Sequence, residues 1–252
     1  EIIDDGNDLV GSPHVAVAPN GDILAVWRQP STGIVWDIWA RRYAQAGGWE
    51  PAVRVSTTNT GRATAATAAF DGTGNAIVLW LQDPGFNRSL YAARHSAAGG
   101  WSTPQLIDSG GVDQHRLAVD AAGNALAIWR RPEEIDGKVV LKAFASRFTP
   151  AGGWEAPQDV SVGDVFVPVA ALRPDGHGLA VWQELDASSS PPGSTYSIWS
   201  SRYTAGGGWD IPEQIGSNGS LIGSGPHLAV GPNGEAFAIW TRGGGVWVNR
   251  FE

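Results

Sequence analysis

One phrase of small and aliphatic residues ending in tryptophan occurs five times, at Gly21–Trp27, Gly74–Trp80, Gly123–Trp129, Gly176–Trp182 and Gly234–Trp240. The steps between these tryptophans are 53, 49, 53 and 58 residues. A Gly-Gly-Trp phrase recurs at Trp49, Trp101, Trp154 and Trp209. Between the two lies an aromatic-small-x-Arg-aromatic phrase whose arginines are Arg42, Arg94, Arg147, Arg202 and Arg250. Three phrases in one fixed order at a period near fifty require a single supersecondary unit, stacked on copies of itself.

Each unit divides into four short strands, A to D. Strand A ends at a turn such as Asn20-Gly21, strand B carries the first Trp, strand C the Arg phrase, and strand D follows Gly-Gly-Trp. Asn-Gly, Asp-Gly and Gly-Gly supply the positive φ that tight hairpins need. No window shows a helical apolar period. Four-stranded units of this length point to an all-β, five-bladed β-propeller forming one domain. The expected boundaries are 12–62, 63–111, 112–162 and 163–221 for blades one to four and 222–252 for strands A to C of blade five. Residues 1–11 would supply strand D of blade five, because Glu1-Ile2-Ile3-Asp4 followed by Leu9-Val10-Gly11 reads like Glu213-Gln214-Ile215-Gly216 followed by Leu221-Ile222-Gly223. Such closure satisfies an edge that would otherwise template aggregation.

Composition narrows the function. With 17 basic and 25 acidic residues, net −8, the chain repels phosphate backbones, so nucleic acid is excluded as the expected partner. The absence of cysteine removes disulfides, thiol catalysis and zinc–thiolate sites. Apolar runs are too short for a membrane span, so no membrane insertion is expected. A chain opening at Glu1 without Met reads as a processed or trimmed product, and a secreted, periplasmic or cell-surface location is expected.

Alternation assigns most tryptophans to packing. Those of strand B should wedge between blades, and those of Gly-Gly-Trp should cap the outer hairpins. The recurring arginine should brace the C–D hairpin through the residue after Gly-Gly-Trp, which is Glu50, Glu155 or Asp210. Function is then sought on the unequal B–C connections, since variation on a repeated scaffold is where binding residues sit. Candidate ligand contacts are the aromatics Trp36, Phe86 and Tyr196, with Gln29, Arg131, Glu184 and Arg242 as polar partners. At a channel mouth, His14, Arg116 and His227 share one register at the start of strand A. Two histidines without a carboxylate do not make a metal site, and no metal or cofactor is expected. No catalytic motif is present, so no catalytic residue is assigned. Asp113, Asp164 and Glu184 are the acids a glycoside hydrolase of this fold could use.

The phrases Gly123–Trp129, Ala40-Arg41-Arg42-Tyr43 and Ala46-Gly47-Gly48-Trp49 resemble the repeat of exported bacterial β-propellers, along the whole chain. More distantly, they are similar to the five-bladed tachylectins, whose blades share a Gly-Gly-Trp turn. That resemblance implies amino-sugar binding between neighbouring blades. The expected function is therefore an exported, non-catalytic module binding carbohydrate through the B–C face, with a glycan or cell-surface protein as partner. A protein-interaction scaffold or adhesin domain is the alternative, and a glycoside hydrolase-like propeller the third.

Overall fold

The computed structural model describes residues 2–4, 6, 9–32, 35–56, 61–83, 87–96, 98, 100–186, 195–216 and 225–252. These contain strands and turns and, among the described residues, no helix. Two compact units divide the chain, Glu1–Val112 with Ala121–Gly123, and Asp113–Asp120 with Asn124–Glu252.

The first unit holds two antiparallel meanders. One runs β1 (Gly11–Val17), β2 (Ile23–Thr32), β3 (Val35–Ala44), β4 (Gly48–Trp49) and β5 (Val53–Arg54). The next runs β6 (Arg62–Phe70), β7 (Ala76–Asp83), β8 (Ser89–Ser96), β9 (Gly100–Trp101) and β10 (Gln105–Asp108). The second unit holds three. They are β11 (Asp113–Val119), β12 (Ala125–Ile135), β13 (Lys138–Thr149), β14 (Gly153–Trp154) and β15 (Gln158–Asp159); β16 (Val165–Leu172), β17 (Gly178–Leu185), β18 (Tyr196–Thr204), β19 (Gly208–Trp209) and β20 (Glu213–Gly216); and β21 (His227–Val230), β22 (Ala236–Arg242) and β23 (Gly245–Phe251). The expected fourth strand is thus two short pieces, both paired to the third strand.

The packing rule follows from alternation. Leu24 and Val26 of one repeat meet Ala76, Val78 and Trp80 of the next. Leu126 and Ile128 meet Ala180 and Trp182, and Leu179 and Val181 meet Ala236, Ala238 and Trp240. The aliphatic face of strand B in each of these repeats buries the Ala/Trp face of its successor, and alanines leave room for the indole. Phe237 and Ile239 carry the aliphatic face of the fifth repeat and are 41% and 42% exposed. The fifth repeat has three strands, and β23 pairs with β22 alone among the described strands. Residues 2–4, expected to complete it, lie outside any strand.

The outer hairpins of the first and third repeats carry the expected ion pairs, whereas Arg202 Nη1 donates to the Glu252 carbonyl rather than to Asp210. Trp49 and Trp209 set their rings edge-on to Tyr43 and Tyr203, each at 5.4 Å. Arg42 pairs with Glu50 at 2.6 Å, and Arg147 with Glu155 at 3.6 Å. Arg42 also reaches Asp22 on the A–B turn, a partner not foreseen from the sequence. That turn needs a left-handed residue at Gly21, φ 85°.

A second unforeseen feature is a β-bulge near the start of β1, β6, β11 and β16. Ser12, Ala65, Gln114 and Val167 take it up with φ of 49°, 52°, 49° and 47°, in the left-handed region that disfavours side chains. The bulge aims Gln114 so that its Oε1 accepts the backbone N–H of Val167 at 2.8 Å, joining two neighbouring repeats at the same register.

Candidate functional site

In the second unit a cleft of 570 Å³ opens where the B–C connections of the third and fourth repeats meet the segment leading into β16. Its apolar wall is Ile135 and Val140 from the β12–β13 hairpin, with Val162 and Leu185. The opposite wall comes from one face of the fourth repeat. Trp182 lies opposite Trp199, Glu184 opposite Ser197, and Trp199 opposite Gln214 in the ladder, so these side chains share a face by strand alternation. Glu184, Ser197, Trp199 and Gln214 line the cleft, together with Gly163, Asp164 and Asp186.

The polar groups are held by named bonds. Glu184 Oε2 accepts the Trp182 indole N–H at 3.0 Å. Asp164 Oδ1 accepts the Leu141 N–H at 2.7 Å, and its carbonyl accepts the Leu185 N–H at 2.9 Å, so one residue ties both repeats to the cleft. Gln214 Nε2 donates to the Gly216 carbonyl at 2.7 Å and reaches Ser197 Oγ at 3.3 Å. Gly163 lies against Glu184; a Cβ there would stand 2.7 Å from Oε1.

Among the described residues, three carboxylates and no lysine or arginine line the cleft. Two cations on adjoining strands, Lys142 and Arg130, are already engaged, while Lys138 stands exposed across the ladder from Ile135. Lys142 binds Asp159 at 3.1 Å and the Ser161 and Val162 carbonyls. Arg130 forms a two-pronged pair with Asp113 at 2.8 and 2.7 Å. An apolar wall, an indole and converging acceptors make a site suited to a ligand with one apolar face and several hydrogen-bond donors, as a sugar has.

The remaining sequence candidates are dispersed. Gln29 is buried and its Oε1 accepts the Trp27 indole N–H at 2.8 Å. Trp36 lies under the Arg28 guanidinium at 4.8 Å. Arg131 pairs with Glu133 at 2.7 Å and covers the Phe144 ring at 3.9 Å. Tyr196 packs edge-on against Phe166 at 5.2 Å, beside the cleft and opposite Leu185 in the ladder. Arg242 stands over Trp247 at 5.6 Å. Phe86 lies outside the described residues. Among the channel-mouth candidates, His14 Nδ1 accepts the Ala68 N–H at 3.3 Å, and burial lowers its pKa below the ordinary histidine value. Arg116 donates to the His115 carbonyl at 2.9 Å, and His227 is exposed. Among the described residues no cluster of three or more His, Asp or Glu could hold a metal ion. Of the proposed contacts among the described residues, only Glu184 lines the cleft. Trp199 and Gln214, which also line the cleft, look in the sequence like ordinary members of the repeat, and Asp186 lies in the B–C connection after β17.

No protein-family model matches the chain, and no curated protein matches it in sequence. Solved structures do match in fold. A six-bladed β-propeller lectin from Aleuria aurantia superposes with a TM-score of 0.52 at 13% identity, over 94% of this chain and 74% of the lectin. An α-L-arabinofuranosidase from Fusarium graminearum gives 0.51 at 13% identity, over 96% and 92% of the two chains. The polysaccharide lyase Uly1 gives 0.57 at 10% identity, and this chain covers 94% of its own length but only 57% of the lyase. At such identities the likeness is one of fold: the chain is an all-β protein of β-propeller type.

Proposed function

We propose that the chain is a carbohydrate-recognition module that binds a saccharide in the cleft between its third and fourth repeats. The observation that carries this is the joining, in one 570 Å³ cleft, of the Trp199 indole and an aliphatic wall with the acceptors Glu184, Asp164 and Asp186. Sugars are recognised by stacking an apolar ring face on an aromatic while hydroxyls donate to fixed acceptors. The fold is also that of a lectin and of carbohydrate-active enzymes among the structural neighbours. Five blades, one per repeat, and a location outside the cytoplasm belong to the same proposal.

The experiment is a calorimetric titration with a panel of oligosaccharides, repeated on Trp199→Ala and on Trp36→Ala. Binding that is lost in the first variant and kept in the second supports the cleft. Binding lost only in Trp36→Ala moves the site to the first repeat and contradicts it.

A further inference from the structure

The charge of the cleft narrows the ligand further. This inference rests on the carbohydrate-binding proposal above. Glu184 is only 7% exposed, yet among the described residues only its Oε2 receives a hydrogen bond, from the Trp182 indole. Its Oε1 reaches the cleft past Gly163, where any side chain would collide with it. A carboxylate oxygen facing a cleft accepts a charge-assisted hydrogen bond from a ligand cation more strongly than one from a neutral donor. Asp164 and Asp186 add their carboxylates to the same space, while Lys142 and Arg130 spend their charge on Asp159 and Asp113. An anionic glycan, carrying uronates or sulfates, would meet the carboxylates of Glu184 and Asp164 with no lysine or arginine among the described lining residues. A protonated amine would meet carboxylates able to accept charge-assisted hydrogen bonds.

We infer that this cleft selects glycans bearing a free, protonated amine, whose ammonium donates to Glu184 Oε1 with Asp164 close by, while the sugar ring lies along Trp199. An acetamido group cannot replace it, because acetylation removes the charge and leaves a single N–H.

The test titrates four probes at a pH where the amine is protonated: a β1,4-linked glucosamine tetramer, its fully N-acetylated counterpart, a galacturonate tetramer and a tetralysine peptide. The glucosamine tetramer is expected to bind at least about tenfold more tightly than the acetylated one, a factor equal to one well-placed charge contact. The preference should shrink as salt is raised. Glu184→Gln and Asp164→Asn should each cut it to about threefold or less; Gln still accepts the Trp182 N–H, so folding is kept and is checked by melting. Equal binding of the two tetramers, or preference for the uronate, overturns the amine inference and leaves a carbohydrate site standing. Tetralysine binding as tightly as the glucosamine tetramer overturns the sugar specificity. If none of the saccharides binds, the carbohydrate proposal falls with it.

Discussion

The indole N–H of Trp182 donates to Glu184 two residues further along the same strand, across 3.0 Å. The same bond recurs from Trp27 to Gln29 at 2.8 Å and from Trp80 to Gln82 at 3.3 Å. Side chains at i and i+2 share a face of a strand, so a buried indole finds its acceptor locally. Gln29→Leu should therefore lower stability by about 1–3 kcal/mol through an orphaned indole N–H. Urea unfolding of this variant checks it, and an unchanged stability would remove the hydrogen bond from the explanation.

A histidine in an aromatic position makes the second repeat acid-sensitive. His95 packs edge-on against Trp101 at 5.1 Å, where Tyr43, Phe148 and Tyr203 stand in other repeats. Burial, and next the nearby Arg42 charge, lower its pKa from 6.5, and Nδ1 is buried without a partner. The folded state thus keeps it neutral, whereas the unfolded chain binds a proton below about 6.5. Its contribution is intact above that value and lost as pH falls below it. His95→Phe should raise stability at neutral pH by about 1 kcal/mol and flatten the fall on the acid side. Thermal melts across this range decide it.

The recurring arginines are unequal in worth. Arg42 bridges Asp22 and Glu50 from a largely buried position, whereas Arg250 touches only Glu252 at 3.5 Å with most of its side chain in solvent. Arg42→Ala should cost about 1–3 kcal/mol, and Arg250→Ala less than about 1 kcal/mol. Parallel denaturation curves measure the difference; similar losses would contradict the burial argument.

Ala65 is exposed and holds φ 52° in the bulge of β6. Ala65→Gly removes only a methyl group that hinders this backbone, so stability should rise by about 1 kcal/mol. A loss of stability would mean the bulge carries no strain.

The repeat, its strand order, the buried tryptophans and the Arg42–Glu50 brace were legible because each is a local pattern written several times. The bulge was not, since Ser12, Ala65, Gln114 and Val167 share no chemistry. Gln29 looked like a ligand contact from its position after the Trp. Its task became visible only when the indole N–H was seen to need an acceptor. The cleft was least legible of all. Ile135, Asp164, Glu184 and Gln214 come from separate segments, and only the stacking of two repeats brings them together.

The most direct test of carbohydrate recognition is a nitrogen–proton correlation spectrum of the tryptophan indoles during titration with the glucosamine tetramer. The account predicts shifts in the Trp199 and Trp182 signals, saturating together, and their disappearance in Glu184→Gln at the same ligand concentration. Shifts confined to tryptophans away from the cleft, Trp36 or Trp247, would contradict it.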